Sequence, residues 1–217
     1  MKLAIYDFDG TYINVQTLPM LLKLWSKQKI NQKARRKCQR IVYTRYLFHK
    51  LKLFGWDKQT FRANAMEVTA DLFRSVEFNV LEKFLNDFYL EMLKYRNLRI
   101  VEQIKKDKKA GFFTVLLSGN FDIILKPFLK EGFDMVIGTH ILSDKGLLSS
   151  KEVDIIIHNR KQEIILEHFP NADYKESKAY ADSNYDLPIL ELVGHPVAVN
   201  PDPELLEIAK NKNFEIM

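Results

Sequence analysis

Short apolar runs recur along the chain, and each is bounded on at least one side by Gly, Pro, Asp, Asn or Ser. Runs of this kind are typical of strands buried in a sheet, whereas helices need longer segments with periodic apolar positions. The first run leads directly into Asp7. The pattern predicts strands over residues 2–6, 112–117, 134–137, 178–181, 197–199 and 214–216.

Residues 15 to 95 carry apolar side chains at helical spacing instead. Leu18, Leu21 and Trp25 follow a helix start at Thr17, with Pro19 in the first turn, where proline is well tolerated. Further helices are predicted over 31–53, 57–66 with Asp57 as N-cap, and 77–95. The region between the first two strands is therefore predicted to be helical throughout.

After residue 96 helices and strands alternate. Asn97 is predicted to cap a helix that ends before Gly111, because an amide side chain satisfies free N–H groups and glycine ends helices. The remaining predicted elements are a short helix kinked near Pro127 and stopped by Gly132, a hairpin within 139–153, a helix over 162–168 and a last helix from Asp202-Pro203.

Strands that alternate with helices predict an α/β fold, with a Rossmann-like, mainly parallel sheet that is covered on both faces. The helical block between the first two strands interrupts this alternation. We therefore expect a core domain made of residues 1–14 and 97–217, with residues 15–96 inserted as an all-helical cap domain.

The composition is that of an ordinary globular protein, with 47% hydrophobic and 28% charged residues. Cys38 is the single cysteine, which excludes an intrachain disulfide and fits a reducing compartment. No secretory signal precedes the first strand, and no uncharged apolar run approaches the length of a membrane-spanning helix. We expect a soluble, cytoplasmic protein.

Positive charge is concentrated in residues 23–58, which contain twelve Lys and Arg and a single acid, Asp57. This window carries a net charge of +11 within a chain of +5, so the remainder carries −6. Aromatic residues are interleaved with these cations. The pattern favours an amphipathic cap helix with a solvated basic face, and the alternative is a surface that attracts an anionic substrate, an acidic membrane or RNA. No nucleic-acid-binding motif is present, and we do not expect DNA binding.

Carboxylates follow two of the predicted strands. Asp7 and Asp9 come after the first, Asp182 and Asp186 after the fourth, and Ser118 follows the second. Because ligands of parallel sheets bind beyond the carboxyl ends of strands, these groups are expected to meet. Carboxylates so close together repel each other, and a divalent cation with a preference for oxygen ligands relieves this repulsion. The sequence therefore predicts an Mg²⁺ site and phosphoryl-transfer chemistry.

The segments that carry these groups resemble motifs of the haloacid dehalogenase superfamily, in the phosphoserine-phosphatase-like branch with a helical cap. Asp7-Phe8-Asp9-Gly10-Thr11 is similar to the first motif. Leu116 to Gly119 is similar to the second, and Asp182 to Pro188 to the fourth. The third motif is a lysine near a helix start; Lys161 fits best, and Lys151 is the alternative.

The resemblance implies an aspartyl-phosphate mechanism in which Asp7 attacks phosphorus and Asp9 moves the proton. It also implies that Ser118 and the following backbone of Gly119 and Asn120 bind the phosphate, and that Lys161 neutralises charge. The metal ligands implied by the motifs, together with the carboxylates singled out above, are Asp7, Asp9, Asp182 and Asp186.

The cap selects the substrate in this family. Phosphoserine phosphatases carry a Glu after the first motif that meets the substrate amine, and the corresponding residue here is Gln16. A neutral amide does not attract an ammonium group as a carboxylate does. We therefore expect a small phosphomonoester other than free phosphoserine. A phosphotransferase with the same intermediate, and a binding protein that uses the basic cap on RNA or acidic membrane, are the alternatives.

Overall fold

The structure is a computed structural model, and it describes residues 1–51, 58–143, 146–147 and 153–217. Asp57, Lys151 and the predicted turn at Asp144-Lys145 lie outside these residues. The strands are β1 (Leu3–Tyr6), β2 (Phe113–Phe121), β3 (Met135–Thr139), β4 (Leu142–Ser143), β5 (Gly146–Leu147), β6 (Lys178–Ala181), β7 (His195–Ala198) and β8 (Glu215–Ile216).

The helices, in chain order, are α1 (Thr17–Lys27), α2 (Gln32–Lys50), α3 (Lys58–Arg74), α4 (Phe78–Met92), α5 (Leu98–Lys109), α6 (Asp122–Leu125), α7 (Asn159–His168), α8 (Leu187–Leu192) and α9 (Pro203–Asn211). Short 3₁₀ turns follow α4 and α6 and precede α8, at Leu93–Tyr95, Lys126–Glu131 and Asn184–Asp186. None of the helices in the described ranges has the length and apolar composition needed to cross a bilayer.

Six strands form one sheet in the order β3-β2-β1-β6-β7-β8, and all of its pairings are parallel. β4 and β5 pair separately as an antiparallel hairpin, as predicted. The α/β fold with a helical insertion is confirmed, because α1 to α4 lie between β1 and β2 in the chain. The domain boundaries at 14/15 and 96/97 stay a prediction.

Both faces of the sheet are buried, which explains the uniformly apolar β1. Leu3 and Ile5 belong to one core cluster, and Ala4 and Tyr6 belong to the other, as the two-residue period of a strand requires. On the first face the cluster includes residues of α7, α8 and α9, and on the second face it includes residues of α5 and the inserted helices.

The largest differences from the predicted boundaries are at the ends of α3 and β2. α3 continues to Arg74 rather than ending at Met66, because Val68, Leu72 and Phe73 repeat at helical spacing and are buried. β2 continues to Phe121 rather than ending at residue 117, although its pairing with β3 is irregular between Leu117 and Phe121. The residues predicted to follow this strand therefore lie within its irregular last part.

The two connections to the helical insertion run side by side. The Asn14 backbone N–H donates to the Tyr95 carbonyl at 2.8 Å, and the Asn97 N–H donates to the Tyr12 carbonyl at 2.8 Å. Asn97 also caps α5, as predicted, by accepting a hydrogen bond from the Arg99 N–H. These bonds fix where the insertion leaves the sheet and where it returns.

A buried carboxylate below the end of β1 ties the sheet to α5. Asp107 is 1% exposed and accepts hydrogen bonds from the hydroxyls of Tyr6 and Tyr180. Its other oxygen accepts from Lys178 at 2.7 Å and from Gln103 at 3.0 Å. The two tyrosine rings stack with centroids 4.4 Å apart across the β1–β6 pair. One side chain thus satisfies four donors beneath the strand ends.

Replacing Asp107 by Ala is expected to lower the free energy of unfolding by about 3 kcal/mol, since two buried tyrosine hydroxyls lose their acceptor. Chemical denaturation measures this change. Glu102→Ala on the same helix removes only an exposed pair with Lys105, and its effect is expected to stay within about 0.5 kcal/mol. Equal effects of the two substitutions would contradict the role given to Asp107.

Candidate active site

The predicted site segments meet at one edge of the sheet. β1 lies between β2 and β6, with Tyr6 in register with Leu116 and Tyr180. Asp7 follows β1, Asp182 follows β6, and Ser118 lies in the last part of β2. The three strand ends are adjacent in space although more than a hundred residues separate the first from the second, so the sequence-predicted residues converge there.

Lys161 lies in the first turn of α7 and connects two of the carboxylates. Its Nζ donates to Asp7 Oδ1 at 2.7 Å and also to Asp186 Oδ1. The side chains of Lys161, Asp7 and Asp186 are 7%, 11% and 6% exposed, respectively, so these ion pairs are shielded from water. The alternative lysine, Lys151, lies outside the described residues.

Burial dominates the electrostatics of this cluster. It raises the pKa of Asp7, and the Asp186 charge raises it further, while Lys161 acts in the opposite direction. Burial and the charges of Asp7 and Asp186 raise the pKa of Asp182. Burial alone lowers the pKa of Lys161, but the two carboxylates outweigh this effect and leave it raised. One ammonium group is therefore surrounded by more negative charge than it balances.

The carboxylates fit a divalent cation. One oxygen each of Asp7, Asp182 and Asp186 lies within 4.8 Å of the others, close to the span of about 4 Å between opposite oxygens around Mg²⁺. Lys161 donates to Asp7 and Asp186, whereas the Asp182 carboxylate accepts no hydrogen bond from the residues that the structure describes. Three clustered carboxylates, one of them without a hydrogen-bond donor in the described part of the chain, form a set of oxygen ligands that suits a hard cation.

Gly10 is required for this arrangement. Its φ is +79°, and a Cβ at this position would lie 2.0 Å from Asp182 Oδ2. Only glycine combines this backbone conformation with so close an approach. The glycine of the first segment therefore gives Asp182 the space to face Asp7.

Asp9 is held apart from the other carboxylates. Its Oδ1 accepts hydrogen bonds from the backbone N–H of Thr17, at 3.0 Å, and from the Thr17 hydroxyl. Its Oδ2 accepts from Asn120 Nδ2 at 3.2 Å. Burial raises the pKa of Asp9, although the hydrogen bonds from Thr17 and Asn120 act against it. Metal ligation by Asp9 stays a prediction, since its carboxylate is not among the three that cluster.

The residues predicted to bind phosphate lie beside Asp9. Ser118 is buried, and its Oγ accepts hydrogen bonds from the backbone N–H and the side-chain amide of Asn120, each at 3.2 Å. A Cβ on Gly119 would lie 2.9 Å from the Ile156 carbonyl oxygen, so no larger residue fits. Gln16 is exposed at the N-cap of α1, where its side chain makes no capping bond, and it lines the same cleft.

Two site residues were not predicted. The sequence identifies Thr17 only as a helix start. No sequence pattern indicates that its hydroxyl donates a hydrogen bond to Asp9. Arg62 lies on α3, lines the cleft and contributes positive charge near Asp9. Its guanidinium stacks over the Tyr185 ring, 4.6 Å from the ring centroid. Arg62 reaches the site because of the way the insertion packs on the sheet, and no local sequence pattern indicates that packing.

Comparison with known proteins identifies the family. The sequence profile of the haloacid dehalogenase-like hydrolases matches residues 4–191, which include every candidate site residue. The chain belongs to this family. The resemblance found in the sequence motifs is thus confirmed, and the carboxylate cluster of this hydrolase lies where its motifs predict.

Relatives of this hydrolase include phosphatases. A histidinol-phosphatase of Neisseria meningitidis is 31% identical over 125 residues, which are 52% of this chain and 55% of that enzyme. A Bordetella pertussis protein of unknown function has the same fold, with a TM-score of 0.82 at 17% identity, covering 100% of this chain and 97% of that one. A substrate-bound phosphoserine phosphatase has a TM-score of 0.62 at 20% identity, covering 95% and 89%.

Asp182→Asn is expected to stabilise this hydrolase when no metal is present. The pKa of Asp182 is about 4 in the unfolded chain and is raised to about 8 in the folded protein. The free energy of unfolding therefore falls as pH rises between these values, because the ionised carboxylate is less favourable in the folded protein than in the unfolded chain. At pH 8 the variant should therefore gain at least about 1 kcal/mol, or about 2–4 °C in Tm, and the gain should shrink at pH 5.

Thermal unfolding in EDTA at both pH values measures this difference. Glu207→Gln, on an exposed part of α9, is the control for loss of one carboxylate and should change Tm little. A variant less stable than the parent at pH 8 would show that Asp182 is not under repulsion from its neighbours.

Proposed function

We propose that this hydrolase is an Mg²⁺-dependent phosphomonoester phosphatase that works through an aspartyl-phosphate on Asp7. The observation that carries the proposal is the pairing of Asp7 with Lys161 at the end of the central strand, beside a second carboxylate, Asp9, with its own hydrogen-bond partners. In this proposal Asp7 acts as the nucleophile, and Asp9 moves the proton.

In the first step an Asp7 carboxylate oxygen attacks phosphorus, and the bond from phosphorus to the leaving alcohol oxygen breaks. Asp9 is protonated at this stage and donates its proton to that oxygen, for which its raised pKa suits it. In the second step Asp9 takes a proton from water, the water oxygen attacks phosphorus, and the bond from phosphorus to Asp7 breaks. Inorganic phosphate leaves, and both side chains return to their starting states.

The remaining site residues hold the charge of the phosphoryl group. Lys161 would neutralise part of the negative charge on Asp7 and the phosphate, and Ser118 with the backbone of Gly119 and Asn120 would bind phosphate oxygens. Asp7, Asp182 and Asp186 would hold Mg²⁺. When bound, Mg²⁺ offsets the repulsion between the Asp7 carboxylate and the phosphate dianion.

The substrate is proposed to be a phosphorylated metabolite other than free phosphoserine. Gln16 lines the cleft with a neutral amide, which gives no charge to pair with a substrate ammonium group. A phosphotransferase follows the same first step and differs only in passing the phosphoryl group to an alcohol instead of water. Hydrolysis in the absence of an added alcohol separates these two activities.

Asp7→Asn is expected to lose at least about a thousandfold in kcat/KM toward p-nitrophenyl phosphate, because the amide cannot act as nucleophile. EDTA should abolish the parent activity, and Mg²⁺ should restore it. Asp71→Asn, an exposed carboxylate on α3, is the matched control and should retain activity. An active Asp7→Asn protein, or a parent inactive toward a broad panel of phosphomonoesters, would refute the phosphatase.

We infer a second property from the basic helix α2, namely binding to acidic lipid surfaces. α2 contains seven Lys and Arg and no acid. Arg36, Arg40, Tyr43 and Leu47 recur at helical spacing, and all four are exposed, with Tyr43 at 68% and Leu47 at 43%. Cations and apolar side chains on one exposed face are typical of helices that lie on acidic membranes, which favours lipid over RNA.

The double substitution Arg36→Glu and Arg40→Glu is expected to weaken binding to phosphatidylserine-containing vesicles at least about tenfold. Vesicle sedimentation at fixed salt measures this loss. The matched control is the double substitution Lys106→Glu and Lys109→Glu on α5, which reverses two exposed charges and should leave binding unchanged. Binding to neutral vesicles with equal strength, or tighter binding to single-stranded RNA, would rule out an acidic lipid surface as the partner.

A further inference from the structure

The cleft at the site is far larger than a phosphate and a short alcohol need. It has a volume of about 1150 Å³, above the range of about 300–1,000 Å³ that is usual for ligand pockets. Asp7, Asp9 and Lys161 are only a small part of its lining. The rest is lined mainly by helices of the insertion, and this lining must contact whatever the phosphate is attached to.

The cap wall is the set of cleft-lining residues on α1, α2 and α3, and much of it is apolar. Three helix faces contribute to it at helical spacing, and the side chains that give it its apolar character are Leu18, Leu22, Val42, Tyr46, Phe61 and Met66. The Tyr46 and Phe61 rings also pack together, with centroids 5.7 Å apart. An apolar wall stabilises a ligand only to the extent that the ligand brings apolar surface to it.

The apolar wall begins beside the reacting groups and leads away from them. Thr17 bonds to Asp9, and Leu18, Leu22 and Ser26 follow on the same face of α1. From Thr17 to Lys27 the helix rises about 15 Å, at 1.5 Å per residue. A leaving group that is attached at the site therefore meets the apolar side chains of Leu18 and Leu22 along α1.

The charges of the cap wall exclude a cationic leaving group. Among the described residues that form it, no carboxylate is present, whereas four cations are: Lys23, Lys27, Arg35 and Arg62. The Arg35 guanidinium donates to two amide oxygens, of Gln32 at 2.9 Å and of Gln39 at 2.6 Å. Because both acceptors are neutral, they do not balance the positive charge of Arg35. An amino alcohol would face positive charge without a partner.

We propose that the substrate of the Asp7 site is a phosphomonoester whose alcohol carries an extended apolar group, which lies along the cap wall of α1, α2 and α3. This inference rests on the proposed phosphatase function and adds the class of leaving group. It sets the chain apart from enzymes that act on small zwitterionic phosphates, because binding energy here comes from apolar surface.

A series of n-alkyl phosphates tests the inference directly. Ethyl, butyl, hexyl and octyl phosphate are assayed with Mg²⁺ below the concentrations at which they form micelles, and phosphoserine is included. We expect kcat/KM to rise about two- to fourfold per methylene group as the chain covers the cap wall, and phosphoserine to be the poorest substrate.

Variants locate the effect. Phe61→Ser and, as a second variant, Val42→Asn should each reduce the ratio of octyl to ethyl phosphate kcat/KM at least about tenfold. Phe78→Ser is the matched control, because Phe78 is 53% exposed on α4 and does not line the cleft, and it should keep the parental ratio. Thermal unfolding confirms that each variant is folded.

The outcomes separate this inference from the phosphatase itself. Hydrolysis of ethyl phosphate that depends on Mg²⁺ and Asp7, with no rise along the series, overturns the apolar leaving group and leaves the phosphatase standing. If both cap-wall variants keep the rise in kcat/KM along the series, the apolar group of the substrate does not lie along the cap wall. Hydrolysis of none of the phosphates overturns the proposed function and this inference together.

Discussion

The ammonium group of Lys161, shared between Asp7 and Asp186, is the interaction on which this site depends. Three carboxylates meet in a buried space, and each ionised carboxylate disfavours the ionisation of the others. Lys161 offsets part of this charge but cannot offset all of it. The excess negative charge favours a cation at this site, and Lys161 together with such a cation would keep Asp7 ionised, as the proposed nucleophile requires.

The fold supplies what this cluster requires. Parallel strands bring Asp7 and Asp182 to one edge from distant parts of the chain, α7 directs Lys161 to Asp7 and Asp186, and Gly10 leaves room for the Asp182 carboxylate. Beneath this edge, Asp107 fixes the last residues of β1 and β6 through their tyrosines. The charged site therefore rests on strand ends that are held from below by hydrogen bonds, which is the preorganisation that the proposed phosphoryl transfer needs.

The insertion between β1 and β2 gives this edge of the sheet a second wall. Thr17, at its start, fixes Asp9, and Arg62 on α3 brings positive charge to the same region. Farther out, the wall turns apolar. One chain segment thus positions the proposed proton donor and also forms the surface that we propose contacts the leaving group.

Much of this was predictable because strands and motifs are local. The run before Asp7, the strand before Asp182 and the helix that carries Lys161 each have a signature in their own residues. The far end of α3 was missed, since its buried face becomes evident only against the core. The bond from Thr17 to Asp9, the approach of Arg62 and the apolar cap wall depend on how the insertion packs on the sheet, and no sequence period encodes that packing.

The proposed mechanism requires that Asp7 itself becomes phosphorylated. Acid quenching of the enzyme during turnover, reduction of the acyl phosphate with borohydride and peptide mass spectrometry test it most directly, because reduction converts a phosphorylated aspartate to homoserine. We expect homoserine at position 7 and at no other carboxylate of the cluster. Conversion at Asp9, or turnover with no carboxylate converted under conditions that preserve acyl phosphates, would contradict it.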